Sequence, residues 1–250
     1  MKHSPDTVRQ ALALLDLTRL EDDDSEAELR LFCRRADTPF GHPAAVCVYP
    51  AFVVAARREL EAIGIGQRVA VATVANFPAG RPDPAGAATE VRQAIALGAD
   101  EVDVVFPWQS FKYDNDEATG RSLVAACREA CGEKTLKVIL ETGELAAPSL
   151  IQRAAELAVA EGADFLKTST GKTANGATLE AVDVLLSVIE STSTPVGLKV
   201  SGGVRSVEDA VAYLSLVAER MGRDWLRPAH VRIGASGLLD QLLAALEQGA

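Results

Sequence analysis

Short apolar segments rich in β-branched residues recur along the chain, and amphipathic segments of helical period lie between them. The apolar runs are residues 11–18, 44–49, 68–74, 101–106, 135–141, 164–169, 196–201 and 230–235. Segments that are apolar on both faces are typical of parallel strands covered by helices. Eight strand–helix units in 250 residues predict an α/β fold, a TIM (β/α)8 barrel that forms a single domain over residues 1–250.

An open, doubly wound parallel sheet is the alternative architecture. Such a sheet ordinarily carries a glycine-rich turn after its first strand, and this chain has no such turn there. No linker rich in proline, glycine or serine divides the chain, and its composition does not shift along its length. The single barrel is therefore the preferred prediction.

Several helix boundaries can be predicted from local signals. Ser25 and Glu28 are spaced as a capping box at a helix N-terminus, and Ser206 precedes an amphipathic run that ends near Arg220. Gly98 and Gly162 each follow a helical pattern and precede a strand, where glycine supplies a left-handed turn. These signals agree with an alternation of strands and helices.

The composition is that of a folded, acidic protein. A hydrophobic fraction of 48% and a charged fraction of 24% exclude global disorder. The formal net charge of −10 argues against a nucleic-acid partner, which requires a basic face. Because the chain has no long uncharged apolar stretch and its first residues, MKHSPDTVRQ, lack the apolar core of a signal peptide, we expect no membrane partner and a cytoplasmic location.

Neither the cysteines nor the histidines form a metal-binding pattern. The four cysteines, which we expect to be free thiols, are Cys33, Cys47, Cys127 and Cys131. The three histidines are far apart in the sequence and have no ligand partner at motif spacing. We therefore expect neither a metal nor another cofactor.

Lysine is scarce, and its placement is unusual. Of the 25 cationic residues, 18 are arginine and 7 are lysine. Three lysines, Lys137, Lys167 and Lys199, fall inside apolar strand runs, as does Asp103. These four residues belong to the fourth to seventh strands, so a barrel would bring them into one small interior volume. Burying several charges is costly unless they are paired, which favours a functional cluster over isolated structural residues.

Clustered lysines around a carboxylate suit Schiff-base chemistry. A lysine becomes nucleophilic when burial or a neighbouring cation lowers its pKa, and it can then attack a carbonyl carbon. The resulting iminium withdraws electrons, so that an adjacent C–C bond can break or form. A second lysine and a carboxylate can then transfer the protons. This is the logic of a metal-independent aldolase.

Glycine-containing segments follow the last three predicted strands, at residues 170–173, 201–205 and 234–237. Glycine lets backbone N–H groups approach an anion closely, and barrels commonly bind phosphate after their seventh and eighth strands. Lys172 and Arg205 would add positive charge. The string GKT does not make a nucleotide-binding P-loop, because that motif requires glycine where this chain has Leu166.

Five segments together resemble the deoxyribose-phosphate aldolase family. They are EVDVVFPW (101–108), LKVILETGEL (136–145), ADFLKTSTGK (163–172), GLKVSGGVR (197–205) and RIGASGLL (232–239). Weaker matches at 16–24, 47–52 and 71–80 extend the likeness over nearly the whole chain. The resemblance implies reversible cleavage of 2-deoxy-D-ribose 5-phosphate to D-glyceraldehyde 3-phosphate and acetaldehyde, and it implies a homodimer.

The resemblance also implies residue roles. Lys167 matches the Schiff-base lysine, Lys199 the second lysine that tunes it, and Asp103 the proton-transferring aspartate. The matches in the substrate pocket are Lys137, Asp16, Thr18, Cys47 and Thr170. The matches at the phosphate site are Gly171, Lys172, Gly202, Gly203, Gly234 and Ser236.

The chain departs from the family pattern in three places. The segment around Lys199 reads GLKVSGG instead of GFKPAGG or GIKASGG, and Gly237 replaces a second serine of the phosphate loop. The chain also ends in EQGA and lacks the terminal tyrosine that assists proton transfer in some bacterial relatives. Proton transfer would then depend on Asp103, Lys199 and water.

Three other functions are consistent with parts of the pattern. Another Schiff-base phosphosugar aldolase or a transaldolase would share the strand lysine, but not the fourth- and fifth-strand motifs together. A non-catalytic phosphosugar-binding barrel would be expected to have lost Lys167 or Asp103, and both are present. A metal-dependent enzyme is disfavoured by the scattered histidines.

Overall fold

A computed structural model of the chain describes residues 3–249, and it confirms the predicted (β/α)8 barrel. All neighbouring strands are parallel, and β1 pairs with β8 to close the barrel in chain order. The strands are β1 (Leu15–Arg19), β2 (Ala45–Val48), β3 (Ala70–Ala75), β4 (Glu101–Val105), β5 (Thr135–Ile139), β6 (Phe165–Lys167), β7 (Gly197–Ser201) and β8 (Val231–Ala235).

Helices separate the strands and cover the outside of the barrel. They are α1 (Pro5–Ala13), α2 (Glu26–Arg34), α3 (Val53–Ala62), α4 (Pro84–Ala96), α5 (Trp108–Tyr113), α6 (Glu117–Cys131), α7 (Thr142–Leu145), α8 (Pro148–Ala160), α9 (Leu179–Ser191), α10 (Val207–Met221) and α11 (Leu238–Gln248). Within residues 3–249, no helix combines the length and the apolar character needed to cross a membrane.

The predicted helix boundaries agree with the structure. Ser25 and Glu28 form the capping box of α2, and Ser206 caps α10. Gly98 and Gly162 follow α4 and α8 with φ angles of 98° and 91°, which lie in the left-handed region that glycine tolerates.

The first apolar run, 11–18, is divided between a helix and a strand. Residues up to Ala13 belong to α1, and β1 begins at Leu15. Ser4 caps α1, and the helix buries Ala11 and Leu12 while it packs against α10 and α11. The run is apolar because its helical half and its strand half are both buried, so hydropathy alone could not locate the boundary.

Strand pairing brings the charged residues together inside the barrel. Asp103 pairs with Lys137 of the neighbouring strand, and Lys167 pairs with Lys199. Paired residues of adjacent strands point to the same face of a sheet. The side of the interior formed by β2 and β3 is apolar instead, and carries small residues such as Ala45, Cys47 and Ala72. The barrel interior is therefore divided into an apolar side and a charged side.

Candidate active site

Six charged side chains from five strands form a closed ring inside the barrel. This charge ring consists of Asp16, Glu101, Asp103, Lys137, Lys199 and Arg232. Cations and anions alternate around it. The ring holds three of each, so it is electrically neutral when every member is ionised.

The contacts around the charge ring are short. One Asp16 oxygen accepts from Arg232 Nη1 at 2.7 Å, and the other accepts from Lys199 Nζ at 2.5 Å. Lys199 Nζ also lies 2.7 Å from Asp103 Oδ2. Each of these groups therefore has an opposite charge on both sides.

Two carboxylates complete the circle through Lys137. The Lys137 amine donates to Asp103 Oδ1 at 2.8 Å and to Glu101 Oε2 at 2.5 Å. Glu101 Oε1 in turn accepts from Arg232 Nη2 at 2.7 Å. From the strand positions, the sequence predicted that the three strand lysines and Asp103 form a functional cluster. It did not single out Glu101 or Arg232. The two-residue spacing between Glu101 and Asp103, which puts both on one face of β4, is the signal that could have found Glu101.

Burial and pairing set the ionisation of the charge ring. Asp16, Asp103, Lys137 and Lys199 are fully buried. Burial raises the pKa of Asp103, but Lys137, Lys167 and Lys199 outweigh it and hold that pKa well below its usual value. Burial lowers the pKa of Lys199, but Asp103 and Asp16 outweigh it and raise the pKa above the ordinary lysine value. Both groups therefore stay charged at neutral pH.

Lys167 lies outside the charge ring and has a different environment. Its amine donates to Asp103 Oδ2 at 2.8 Å. Among the described residues, Asp103 is the one carboxylate within salt-bridge distance of Lys167. Burial lowers the pKa of Lys167, Asp103 partly opposes this, and the neighbouring Lys199 lowers it further. The pKa of Lys167 is therefore lowered, whereas those of Lys137 and Lys199 are raised.

A cavity of about 200 Å³ opens above Lys167 at the carboxyl ends of the strands. Its lining includes ten of the residues singled out in the sequence, namely Thr18, Lys167, Thr170, Gly171, Lys172, Gly202, Gly203, Arg205, Gly234 and Ser236. Asp16, Cys47, Asp103, Lys137 and Lys199 do not line it, and all five are fully buried. The site thus has two levels, with the cavity above and the charge ring below.

Cys47 lies on the apolar side of the barrel interior. Its thiol is fully buried, and burial raises its pKa. All four cysteines are free and buried, as the sequence predicts. Among residues 3–249, no three or more His, Cys, Asp and Glu side chains are grouped so that they could hold a metal ion.

The upper rim of the cavity suits an anion. Gly171, Gly202 and Gly203 have φ angles of 77°, 84° and 90°, so the chain turns sharply there. A Cβ atom at Gly202 would lie 3.0 Å from the Ser169 side chain and 3.1 Å from the Gly176 Cα, so any other residue would force these neighbours to shift. Gly237 is the N-cap of α11 and provides no side-chain cap. The first N–H groups of that helix are therefore free of a side-chain acceptor beside the cavity.

Positive side chains accompany these backbone groups. Lys172 and Arg205 both line the cavity. The Lys172 amine donates to the backbone oxygen of Leu20 at 2.5 Å and so ties the loop after β6 to the loop after β1. The rim therefore combines turns, a helix N-terminus and two cations, which is the chemistry that binds a phosphate group.

Glu141 was not singled out in the sequence, yet it fixes the loop that carries Thr170. Its buried carboxylate accepts from Thr170 Oγ1 at 2.6 Å and from Thr170 N at 3.2 Å. The Glu141 backbone is left-handed, with φ and ψ both 56°. Burial raises the pKa of Glu141, and the bonds from Thr170 partly offset that rise. An acidic residue at the end of the apolar run 135–141 is the signal that could have identified it.

The closed barrel and the polar cavity at the carboxyl ends of its strands place the chain among the (β/α)8-barrel enzymes. The model of the DeoC/LacD family aldolases matches residues 10–240, and the chain belongs to this family. Its substrates are therefore small molecules.

Solved structures agree with the family assignment. A Toxoplasma gondii ME49 protein, provisionally named a deoxyribose-phosphate aldolase and solved in its apo form, is 27% identical with a TM-score of 0.90 over 98% of both chains. A Coccidioides immitis protein of the same provisional name is 29% identical, with a TM-score of 0.80 over 93% of this chain and 85% of that one. The Aeropyrum pernix deoxyribose phosphate aldolase, described as tetrameric, shares the fold at 23% identity, with a TM-score of 0.74 over 99% of this chain and 100% of that one.

Proposed function

We propose that the protein is a class I aldolase that reversibly cleaves 2-deoxy-D-ribose 5-phosphate to D-glyceraldehyde 3-phosphate and acetaldehyde. The observation that carries the proposal is Lys167, a buried amine of lowered pKa that borders the cavity and contacts Asp103. The family assignment and the names of the structural relatives support the same substrate. Such an enzyme would act in the breakdown of deoxynucleosides and deoxyribose.

The reaction begins with the neutral Lys167 amine. Its nitrogen attacks the aldehyde carbon of the open-chain sugar, and the carbonyl oxygen takes up a proton to give a carbinolamine. Loss of water then forms the iminium. Because Asp103 Oδ2 lies 2.8 Å from Lys167 Nζ and 2.7 Å from Lys199 Nζ, it can accept a proton from Lys167 and exchange one with Lys199.

Bond cleavage uses the iminium as the electron acceptor. Removal of the proton from the C3 hydroxyl lets the C2–C3 bond break, and the electron pair moves to C2 and the nitrogen as an enamine. D-Glyceraldehyde 3-phosphate leaves with its new carbonyl group. Protonation of the enamine carbon and hydrolysis of the iminium then release acetaldehyde and regenerate the Lys167 amine.

The rim of the cavity would hold the 5-phosphate of the substrate. Gly171, Gly202 and Gly203 would present N–H groups, and Lys172 would supply a positive charge. Thr170 is held in place by Glu141, so the loop after β6 is ordered before substrate binds. A fixed phosphate would orient the reacting carbons over Lys167.

Coupled detection of glyceraldehyde 3-phosphate tests the proposal. With 2-deoxy-D-ribose 5-phosphate in a buffer containing EDTA, we expect product from the wild type and none above background from Lys167→Met. Lys134→Met is the matched control, because Lys134 is a half-exposed lysine that pairs with Asp100 away from the cavity. A wild type without product, or a Lys167→Met variant with full activity, would refute the assignment.

A further inference from the structure

The charge ring is balanced without Lys167. Its three carboxylates and three cations alternate, and each member contacts an opposite charge on either side. Lys167 is attached to this circle through Asp103 and would be a fourth cation. Protonation of Lys167 would therefore add one positive charge to a ring whose own charges already cancel, among groups that are at most 7% exposed.

Arg232 and Glu101 close the circle on the side away from the cavity. Arg232 contacts Asp16 through Nη1 and Glu101 through both Nη atoms, and its Nε donates to the Pro228 backbone oxygen at 2.5 Å. Arginine stays protonated at any physiological pH, so its charge in the ring is fixed. Neither Arg232 nor Glu101 lines the cavity, so neither would touch a substrate there.

We propose that Arg232 and Glu101 are positioning residues, whose ion pair closes the charge ring so that the buried charges balance only when the Lys167 amine is neutral. The inference rests on the proposed function, since it explains how the Schiff-base lysine is kept in its reactive form. It adds two residues that act through the electrostatics of the site.

Other groups near Lys167 leave this balance intact. Beyond the charge ring, Cys47 of β2 and Glu141 after β5 also act on Lys167, and Glu21, Lys172 and Arg205 line the same cavity. Burial raises the pKa of the Cys47 thiol, so it stays neutral at neutral pH. Glu141 is engaged by Thr170, and its interaction with Lys167 does not depend on Arg232 or Glu101. Changes in the ring can therefore be made without altering these neighbours.

Substitutions that change the ring charge in opposite directions test the inference. Arg232→Met leaves the ring with one excess negative charge, which favours the Lys167 ammonium. The acid limb of the pH profile of kcat/KM should move to higher pH, with about a tenfold loss at neutral pH that is recovered in alkaline buffer. Glu101→Gln leaves one excess positive charge, and its acid limb should move to lower pH.

Two further variants separate charge from structure. Arg232→Lys keeps the positive charge and should retain the wild-type limb. Glu101→Gln combined with Arg232→Met again leaves equal numbers of anions and cations, and the limb should return to the wild-type position. Arg232→Met alone could unfold the protein, because it leaves the buried Glu101 carboxylate without its arginine partner. The double variant removes that carboxylate as well, so it still tests the inference in that case.

A second readout does not require aldolase activity. Lys167 can be methylated reductively with formaldehyde and a borane at a series of pH values and then analysed by peptide mass spectrometry. The midpoint of this pH dependence is the pH at which the Lys167 ammonium loses its proton. We expect this midpoint to move in the same directions as the acid limb. Two results would overturn the inference. One is a methylation midpoint of Lys167 that is the same in the wild type, Arg232→Met and Glu101→Gln. The other is a midpoint that shifts equally in Arg232→Lys and Arg232→Met.

The two readouts also distinguish the inference from the proposed function. If the wild type cleaves 2-deoxy-D-ribose 5-phosphate while the methylation midpoints coincide, the inference fails and the function stands. If the wild type does not cleave the substrate while the midpoints move in opposite directions, the function fails and the electrostatic role of the ring stands.

Discussion

At the scale of single residues, three lysines of one barrel differ because they have different numbers of carboxylate partners. Lys137 and Lys199 each contact two carboxylates at 2.8 Å or less, and their pKa values are raised. Lys167 contacts Asp103 alone among the described carboxylates within salt-bridge distance, and its pKa is lowered by burial. The number of carboxylate neighbours thus separates the one lysine with a lowered pKa from the two with raised pKa values.

Asp103 is the residue whose substitution we expect to damage both chemistry and stability. Its carboxylate accepts hydrogen bonds from Lys137, Lys167 and Lys199. Asp103→Asn keeps the shape but removes the charge, so we expect a loss of about 10²- to 10⁴-fold in turnover. We also expect a loss of about 3–5 kcal/mol in the free energy of unfolding, because the buried lysines lose their shared partner.

Steady-state cleavage assays and urea titrations of the same preparations measure both effects. Asp224→Asn is the control, since Asp224 is an exposed aspartate that does not line the cavity, and it should behave as the wild type. The activity of Asp103→Asn should not recover at high pH, because the variant removes a negative charge and does not favour the Lys167 ammonium. Wild-type turnover in Asp103→Asn would contradict the role of this carboxylate.

At the scale of elements, much of the site follows from the alternation of strands and helices. The apolar runs predicted eight strands, and their order around the barrel put Asp103 on β4 beside Lys137 on β5. The glycine segments after the last three strands contribute residues to the lining of one cavity, and their role in phosphate binding stays a prediction. Pattern and chain order sufficed here because a parallel barrel repeats one connection and brings all carboxyl ends of its strands to one side.

Other elements could not be predicted from the pattern. The boundary between α1 and β1 is hidden in one continuous apolar run. β6 spans Phe165–Lys167 and is shorter than the predicted run, because the chain leaves the strand after Lys167 and reaches the cavity lining at Thr170. Glu141 adopts a left-handed backbone that no residue pattern announces. These features depend on contacts between segments distant in sequence, which a local pattern does not encode.

At the scale of the whole molecule, the buried charges make stability dependent on pH. The pKa values of Asp16 and Asp103 are lowered from an ordinary value of 3.8 by the cations around them, although burial opposes this. A depressed carboxyl pKa contributes stability that is fully present above the ordinary value and is lost as pH falls below it. The pKa values of Lys137 and Lys199 are raised, so their contribution is present below the ordinary value of 10.5 and is lost in more alkaline solution.

We therefore predict that the unfolding free energy is greatest between these two limits. Urea unfolding at a series of pH values should show a plateau around neutral pH and a fall below about pH 4, with a slope of about 1.4 kcal/mol per pH unit for each carboxylate that must be protonated. Stability falls in acid because Asp16 and Asp103 become protonated and lose their ion pairs with the neighbouring cations. An unfolding free energy that does not change from neutral pH to about pH 3 would contradict this account of the barrel interior.

Lys167 is proposed to form a covalent Schiff base, and chemical trapping of this adduct is its most direct test. Incubation of the wild type with acetaldehyde and borohydride, followed by proteolysis and peptide mass spectrometry, should show an N-ethyl group on Lys167. In the same digest, Lys134 should show little modification, because its amine lies outside the cavity and is paired with Asp100. An adduct concentrated on Lys199, on Lys137 or on another peptide, with Lys167 unmodified, would contradict the account.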